Sequence, residues 1–109
     1  MTSLTRRSFL IAAAATPAVV ALPAQAATHT VAIQGMAFAP ANITIARGDT
    51  ITFTNNDAAP HTATFTSGGL DTGRLGRGQS GDLTFDAAGS FEYFCAVHPS
   101  MRGRVIVTG

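Results

Sequence analysis

From Ala27 onward, apolar and polar residues alternate in short runs, and glycine, proline, asparagine and aspartate separate the runs. A period of two marks strands with one face in a core, whereas an amphipathic helix repeats about every 3.6 residues. THTVAIQG sets Val31 and Ile33 on one face. ANITIARGDTITFTNND sets Ile43 and Ile45 inward, turns at Arg47-Gly48-Asp49, and then sets Ile51 and Phe53 inward. HTATFTSGG alternates Thr62, Thr64 and Thr66 with Ala63 and Phe65. Phe65, Leu83, Phe85, Phe91, Tyr93, Val105 and Val107 extend the inward set, and Cys95 shares the face of Phe91 and Tyr93. Six to eight such strands in one small domain predict an all-β fold, a Greek-key β-sandwich. The longest connection, SGGLDTGRLGRGQSG, is rich in glycine and is expected to pass over an edge or an end of the sheets. Met36 and Phe38 are expected to pack at one end of the sandwich.

The first 26 residues follow a different pattern. Arg6 and Arg7 precede an apolar stretch from Phe9 to Leu22, and Ala24-Gln25-Ala26 fits a small-x-small cleavage site. Pro17 and Pro23 interrupt the stretch, which falls short of the roughly 20 apolar residues that span a bilayer. These features predict an export signal over 1–26, cleaved to leave one domain over 27–109. TRRSFL resembles a twin-arginine signal. The expected compartment is the periplasm, with no stable membrane association after cleavage.

Removing that signal changes the charge. The full chain carries a formal +1. Beyond Ala26, Arg47, Arg74, Arg77, Arg102 and Arg104 face Asp49, Asp57, Asp71, Asp82, Asp86 and Glu92, which leaves −1. No basic stripe points to a nucleic-acid partner. Small exported domains often rely on disulfides, but a single cysteine cannot form an internal one. The thiol of Cys95 is either inert and buried or in use.

Its neighbours favour use. In FEYFCAVHPSMRGRVIV, His98 follows Cys95 by three residues and Met101 follows His98 by three. A strand end and the short loop after it can aim a sulfur, a nitrogen and a second sulfur at one point. His61 lies 34 residues upstream in NNDAAPHTATF, where a strand begins, and can supply a fourth ligand. Two imidazoles, a thiolate and a weak axial thioether are the ligand set of a blue-copper centre. The thioether argues against zinc, which prefers nitrogen, thiolate and oxygen. The chain shows no Ser-His-Asp set and no second metal cluster, and it is short for building a substrate cavity, so no enzyme activity is expected. His29, beside the expected new N-terminus, is read as a solvated strand end.

The stretch from Cys95 to Gly103 resembles the ligand loop of the cupredoxin (type 1 blue copper) family. It is most similar to the amicyanin branch, with its C-x-x-H-P-x-M loop followed by R-G and an apolar strand. MAFAPANITIARGDTITFTNND resembles the family's M-x-Y/F-x-P segment and G-D/E-T hairpin, and APHTATF resembles its first-histidine segment. The resemblance implies one copper per chain, held by His61, Cys95, His98 and Met101, and one-electron transfer between proteins. A copper-binding or copper-delivery protein using the same residues is the alternative. Thr62 stands where the amicyanins and many relatives carry an asparagine that ties the two ligand loops together, and its shorter side chain puts that tie in question. Ala58, Ala59, Pro60, Ala96, Val97, Pro99 and Met36 would form an apolar patch around an edge of His98. Such a patch suits a transient redox partner, and the chain itself is expected to be a monomer.

Overall fold

The computed structural model describes residues 26–109, so the expected signal lies outside the described residues except for Ala26. Eight strands are present among the described residues: β1 (Thr28–Ile33), β2 (Phe38–Ala39), β3 (Asn42–Ala46), β4 (Thr50–Asn55), β5 (Thr64–Phe65), β6 (Ser80–Thr84), β7 (Gly89–Phe94) and β8 (Arg102–Thr108). They form two four-stranded sheets, ordered β2-β1-β4-β6 and β3-β8-β7-β5. β1 runs parallel to β4, and β3 parallel to β8, while every other pairing is antiparallel. The chain crosses between the sheets five times, and the described residues form the Greek-key sandwich that the alternation predicts.

The pleat places the apolar positions of the two sheets face to face. Val31 opposes Phe53 across β1 and β4, and Phe91 opposes Val105 across β7 and β8. Val31, Ile33, Ile51, Phe53 and Val105 are fully buried. Tyr93 is the hub of an aromatic cluster. Its ring stacks on Phe65 at 4.8 Å and meets Phe38 at 4.6 Å and Phe53 at 5.5 Å edge to face. Edge-to-face and offset contacts of this kind add to the value of the buried area.

Three expected core residues, Ile43, Leu83 and Phe91, are only partly buried. Ile43 and Leu83 lie on the outermost strands β3 and β6, where each sheet has no further neighbour to cover it. Leu75 and Phe38 join the core, whereas Met36 is 46% exposed and does not pack inward. HTATF yields only a two-residue strand. Thr62 is buried there instead of facing solvent, because the segment before β5 turns inward toward Cys95. The glycine-rich connection does more than pass over an end. It folds back so that Leu75 pairs with His61 and Asp71 with Thr64.

Candidate metal centre

The segment that carries His61 is fixed from three sides. Asn55, at the end of β4, is fully buried. Its side-chain amide donates to the carbonyls of Ala59 and Leu75 at 2.9 and 2.8 Å, and its carbonyl oxygen accepts from the Asp57 N–H at 2.9 Å. The His61 and Leu75 main chains then exchange hydrogen bonds of 3.0 and 2.7 Å. A buried amide with all these partners satisfied holds a turn rigidly, since leaving any of them unmet costs about 1–3 kcal/mol. The imidazole of His61 is thereby placed inside the protein with no solvent exposure.

The second ligand segment closes on itself. The Cys95 N–H donates to the Met101 carbonyl at 3.0 Å, and the Met101 N–H donates to the His98 carbonyl at 2.9 Å. A tight turn over His98–Met101 therefore returns the chain from β7 into β8. Cys95 is fully buried and Met101 is 4% exposed, while His98 is half-buried.

Both segments converge. Cys95 Sγ lies 3.6 Å from His61 Nδ1 and 4.0 Å from His98 Nδ1, and the two Nδ1 atoms are 3.2 Å apart. The point equidistant from the three atoms lies about 2.1 Å from each. That is the length of a metal–imidazole or metal–thiolate bond, roughly 2.0–2.3 Å for a comparable divalent ion. A trigonal His₂Cys arrangement with a methionine on the same loop matches the donor set that blue copper requires.

The electrostatics agree. His61 Nε2 lies 3.0 Å from Asp57 Oδ2, which fixes the proton on Nε2 and leaves the Nδ1 lone pair facing the sulfur. Asp57 in turn accepts the N–H groups of Met36 and Gly35, both at 2.9 Å. These two bonds are the main reason its carboxyl sits below the usual carboxylate range. Gly35 and Met36 both adopt left-handed backbone conformations, φ 64° and 59°, which turn their N–H groups together onto one carboxylate. Burial pushes the Cys95 thiol up. The N–H of Thr62, the His61 ring, and the His98 backbone and ring outweigh burial and hold it at about 6. The sulfur is therefore largely thiolate at neutral pH, the form that binds metal.

Thr62 reaches further than its length suggests. Its N–H donates to Cys95 Sγ at 3.4 Å, and its hydroxyl accepts the Ala96 N–H at 2.8 Å. The tie between the two ligand segments is therefore present. It is extended through Thr64, 2.9 Å away, to Asp71 at 3.2 Å. His29 departs from the solvated reading, because its Nε2 lies 2.9 Å from the buried Asp49. Neither Asn55 nor Asp57 was singled out from sequence. Asp57 four residues before a candidate ligand is the signal that could have found it.

Known proteins resemble this chain in sequence and in fold. Amicyanin from Paracoccus versutus is 39% identical over 82 residues, covering 71% of this chain and 62% of its own length. Amicyanin-alpha from Methylorubrum extorquens is 34% identical over 89 residues, covering 77% of this chain and 75% of its own. The chain thus spans about 60% of the Paracoccus versutus relative and half of the Paracoccus denitrificans amicyanin. Among solved structures, a Cu(I) form of an amicyanin variant superposes with a TM-score of 0.70 at 36% identity, over 78% of this chain and 85% of that one. The profile of copper binding proteins of the plastocyanin/azurin family matches residues 25–108. With a thiol and two imidazoles close enough to share one copper ion on the matching β-sandwich, the chain belongs to the plastocyanin/azurin family of copper-binding cupredoxins.

Proposed function

We propose that the protein is a periplasmic type 1 copper electron carrier whose ligands are His61, Cys95, His98 and Met101. The observation that carries this reading is the triangle of His61 Nδ1, Cys95 Sγ and His98 Nδ1, closed to within 4.0 Å on its longest side. Copper, when bound, supplies a one-electron couple. The chain's part is to keep its ligands still. The Asp57 bond to His61, the Thr62 bonds to Cys95 and Ala96, and the Met101 turn all restrain the ligands. Ligands that are already in place move little on redox change, and a small rearrangement means a low barrier. The amicyanin and plastocyanin relatives support the same reading. The periplasmic assignment rests on the twin-arginine-like stretch and the Ala24-Gln25-Ala26 site.

Addition of Cu(II) to the mature domain tests it. An intense visible band, a blue-copper paramagnetic resonance spectrum and reversible millisecond reduction are expected at one copper per chain. Colourless uptake of Cu(I) alone would replace the carrier by a copper-delivery protein.

The path for electrons runs through His98, because it is the ligand that reaches solvent while the other three are buried. Flanking the two histidine ligands in sequence are exposed Ala58, Ala96 and Pro99 and half-buried Ala59, Pro60 and Val97, and Met36, 46% exposed, is tied to His61 through Asp57. An apolar patch with one polar ring at its centre suits a brief, small contact with a redox partner. Pro99→Glu is expected to slow reduction by the partner at least about tenfold, the equivalent of about 1.4 kcal/mol, and to leave the visible band unchanged. Unaltered partner kinetics would place the contact elsewhere.

A further inference from the structure

The pole of the sandwich opposite the metal centre holds a cluster that copper chemistry does not use. β4 begins beside Asp49 and ends at Asn55 near His61, so the two poles lie about 20 Å apart. Asp49, in the turn between β3 and β4, is 5% exposed. Its Oδ1 accepts the N–H of Ala27 at 2.9 Å. Its Oδ2 accepts the N–H of Ala46 at 3.0 Å and faces His29 Nε2 at 2.9 Å. The Ala27 bond is the largest of the causes that bring its carboxyl down to about 2. Asp49 thus joins β1 of one sheet to the end of β3 in the other.

This carboxylate is surrounded by donors but lacks a permanent counter-charge among the described residues. Two of its partners are amides and the third is an imidazole. A buried anion is most stable when paired as well as hydrogen-bonded. The missing cation is one covalent bond away. The small-x-small site ends at Ala26, and the atom that Asp49 holds is the nitrogen of Ala27. When a signal peptidase hydrolyses the Ala26–Ala27 bond, the C–N bond breaks. Water gives its hydroxyl to the Ala26 carbonyl carbon and a proton to the Ala27 nitrogen. The amine so released takes a further proton from solvent at neutral pH.

We propose that removal of residues 1–26 completes this corner of the fold: the new α-ammonium of Ala27 docks on the Asp49 carboxylate beside His29 and pins β1 across the two sheets. The inference rests on the processing site and is independent of the copper centre. Docking needs no rearrangement, because the Ala27 carbonyl already accepts the Thr50 N–H at 3.0 Å and so fixes the residue from its other side. Ala26 is exposed, so the bond to be cut lies just outside the sheet. The exchange replaces an amide donor by a charged one, and charge-assisted hydrogen bonds are roughly twice as strong as neutral ones. Asp49 from the turn and His29 from β1 face the amine. Arg47 in the same turn and Asp86 after β6 are exposed.

The test compares three copper-loaded forms of the domain: one beginning at Ala27, one retaining Ala26, and one beginning at Ala27 with its amine acetylated. The first is expected to melt about 4 °C or more above the other two. In Asp49→Asn the three are expected to coincide, and the visible band is expected to be the same throughout. Equal melting of the three unsubstituted forms, or a gap that survives Asp49→Asn, would overturn the proposal. If Asp49→Asn does not fold, titration of the ¹⁵N-labelled Ala27 amine in the unsubstituted domain decides. A pKa above the ordinary 7.7–8.0 supports docking, and an ordinary value overturns it. The intact mass of periplasmic protein tests the cut itself. A start at Ala27 supports the proposal, whereas any other start removes the charge from Asp49 and overturns it while leaving the copper reading untouched.

Discussion

Cys95→Ser is expected to yield a folded domain with no blue colour. The reasoning begins with the thiol. Its hydrogen bonds hold it at about 6, so the parent protein presents a sulfur anion to the two imidazoles at neutral pH. A serine hydroxyl stays protonated there. It is also hard where sulfur is soft, which removes the preference for Cu(I) that balances the imidazoles. The remaining His61 and His98 can hold Cu(II) only as an ordinary, pale site. The fold has little reason to fail. Serine is close in size, and the Thr62 N–H that meets Sγ at 3.4 Å can donate to the hydroxyl instead. The copper-free melting temperature is therefore expected to shift by no more than the equivalent of about 1–2 kcal/mol. The visible spectrum after Cu(II) addition checks the loss of colour. An intense blue band persisting in the serine variant would remove Cys95 from the centre.

Gly103→Ala is expected to be the most destabilising methyl addition at any glycine in the described sandwich. Gly103 lies directly opposite Tyr93 in the β7–β8 ladder. A Cβ built there would overlap the Tyr93 ring and its hydroxyl oxygen. The ring cannot retreat, because Phe38, Phe53 and Phe65 all pack against it within 5.5 Å. The backbone cannot retreat easily either, since β8 is hydrogen-bonded on both sides, to β3 and to β7. Overpacking of this kind costs up to about 3 kcal/mol and occasionally more. For a domain this small that lowers the melting temperature by roughly 12 °C or more. Tyr93→Leu combined with Gly103→Ala is expected to lose less than the two single losses added together, because each change relieves the other. Thermal unfolding of the four proteins closes the cycle. A melting temperature within 2 °C or so of the parent for Gly103→Ala would show that β8 shifts at little cost. The same geometry explains the Arg102-Gly103 pair after the ligand loop. The glycine serves the core, and it makes room for an aromatic ring whose hydroxyl is buried without a partner among the described residues.

Much of the sandwich was legible because strand burial is written locally. Val31, Ile33, Ile51, Phe53, Phe85, Tyr93, Val105 and Val107 alternate with less buried neighbours and are all buried. Where reading failed, a neighbour distant in sequence decided. Leu75 sits in a glycine-rich run without period, yet it is 5% exposed because its main chain pairs with His61. Met36 has the composition of a core residue but turns outward. Its backbone is bent to deliver an N–H to Asp57, and the side chain follows the bend. Thr62 looked too short for its task, but the ligand segments approach closely enough for its hydroxyl to meet Ala96 at 2.8 Å.

The amino-acid sequence by itself determined the strands, the likeness of the ligand loop to the cupredoxins, and the closeness of Cys95, His98 and Met101, since these depend on spacing within a few residues. It also offered His61 as the fourth donor, from its place at a strand start and from resemblance. Only the tertiary structure decided that His61 Nδ1 stands 3.6 Å from the sulfur, that His98 alone of the four faces solvent, and that Asp57 holds the far side of the His61 ring. It also decided that Asp49 waits beside the nitrogen of Ala27. Each of these is a contact across sheets or between loops at least four and up to 37 residues apart. A sequence orders residues along one dimension. Distances at a metal centre follow from how two twisted sheets bring separate loops to the same end.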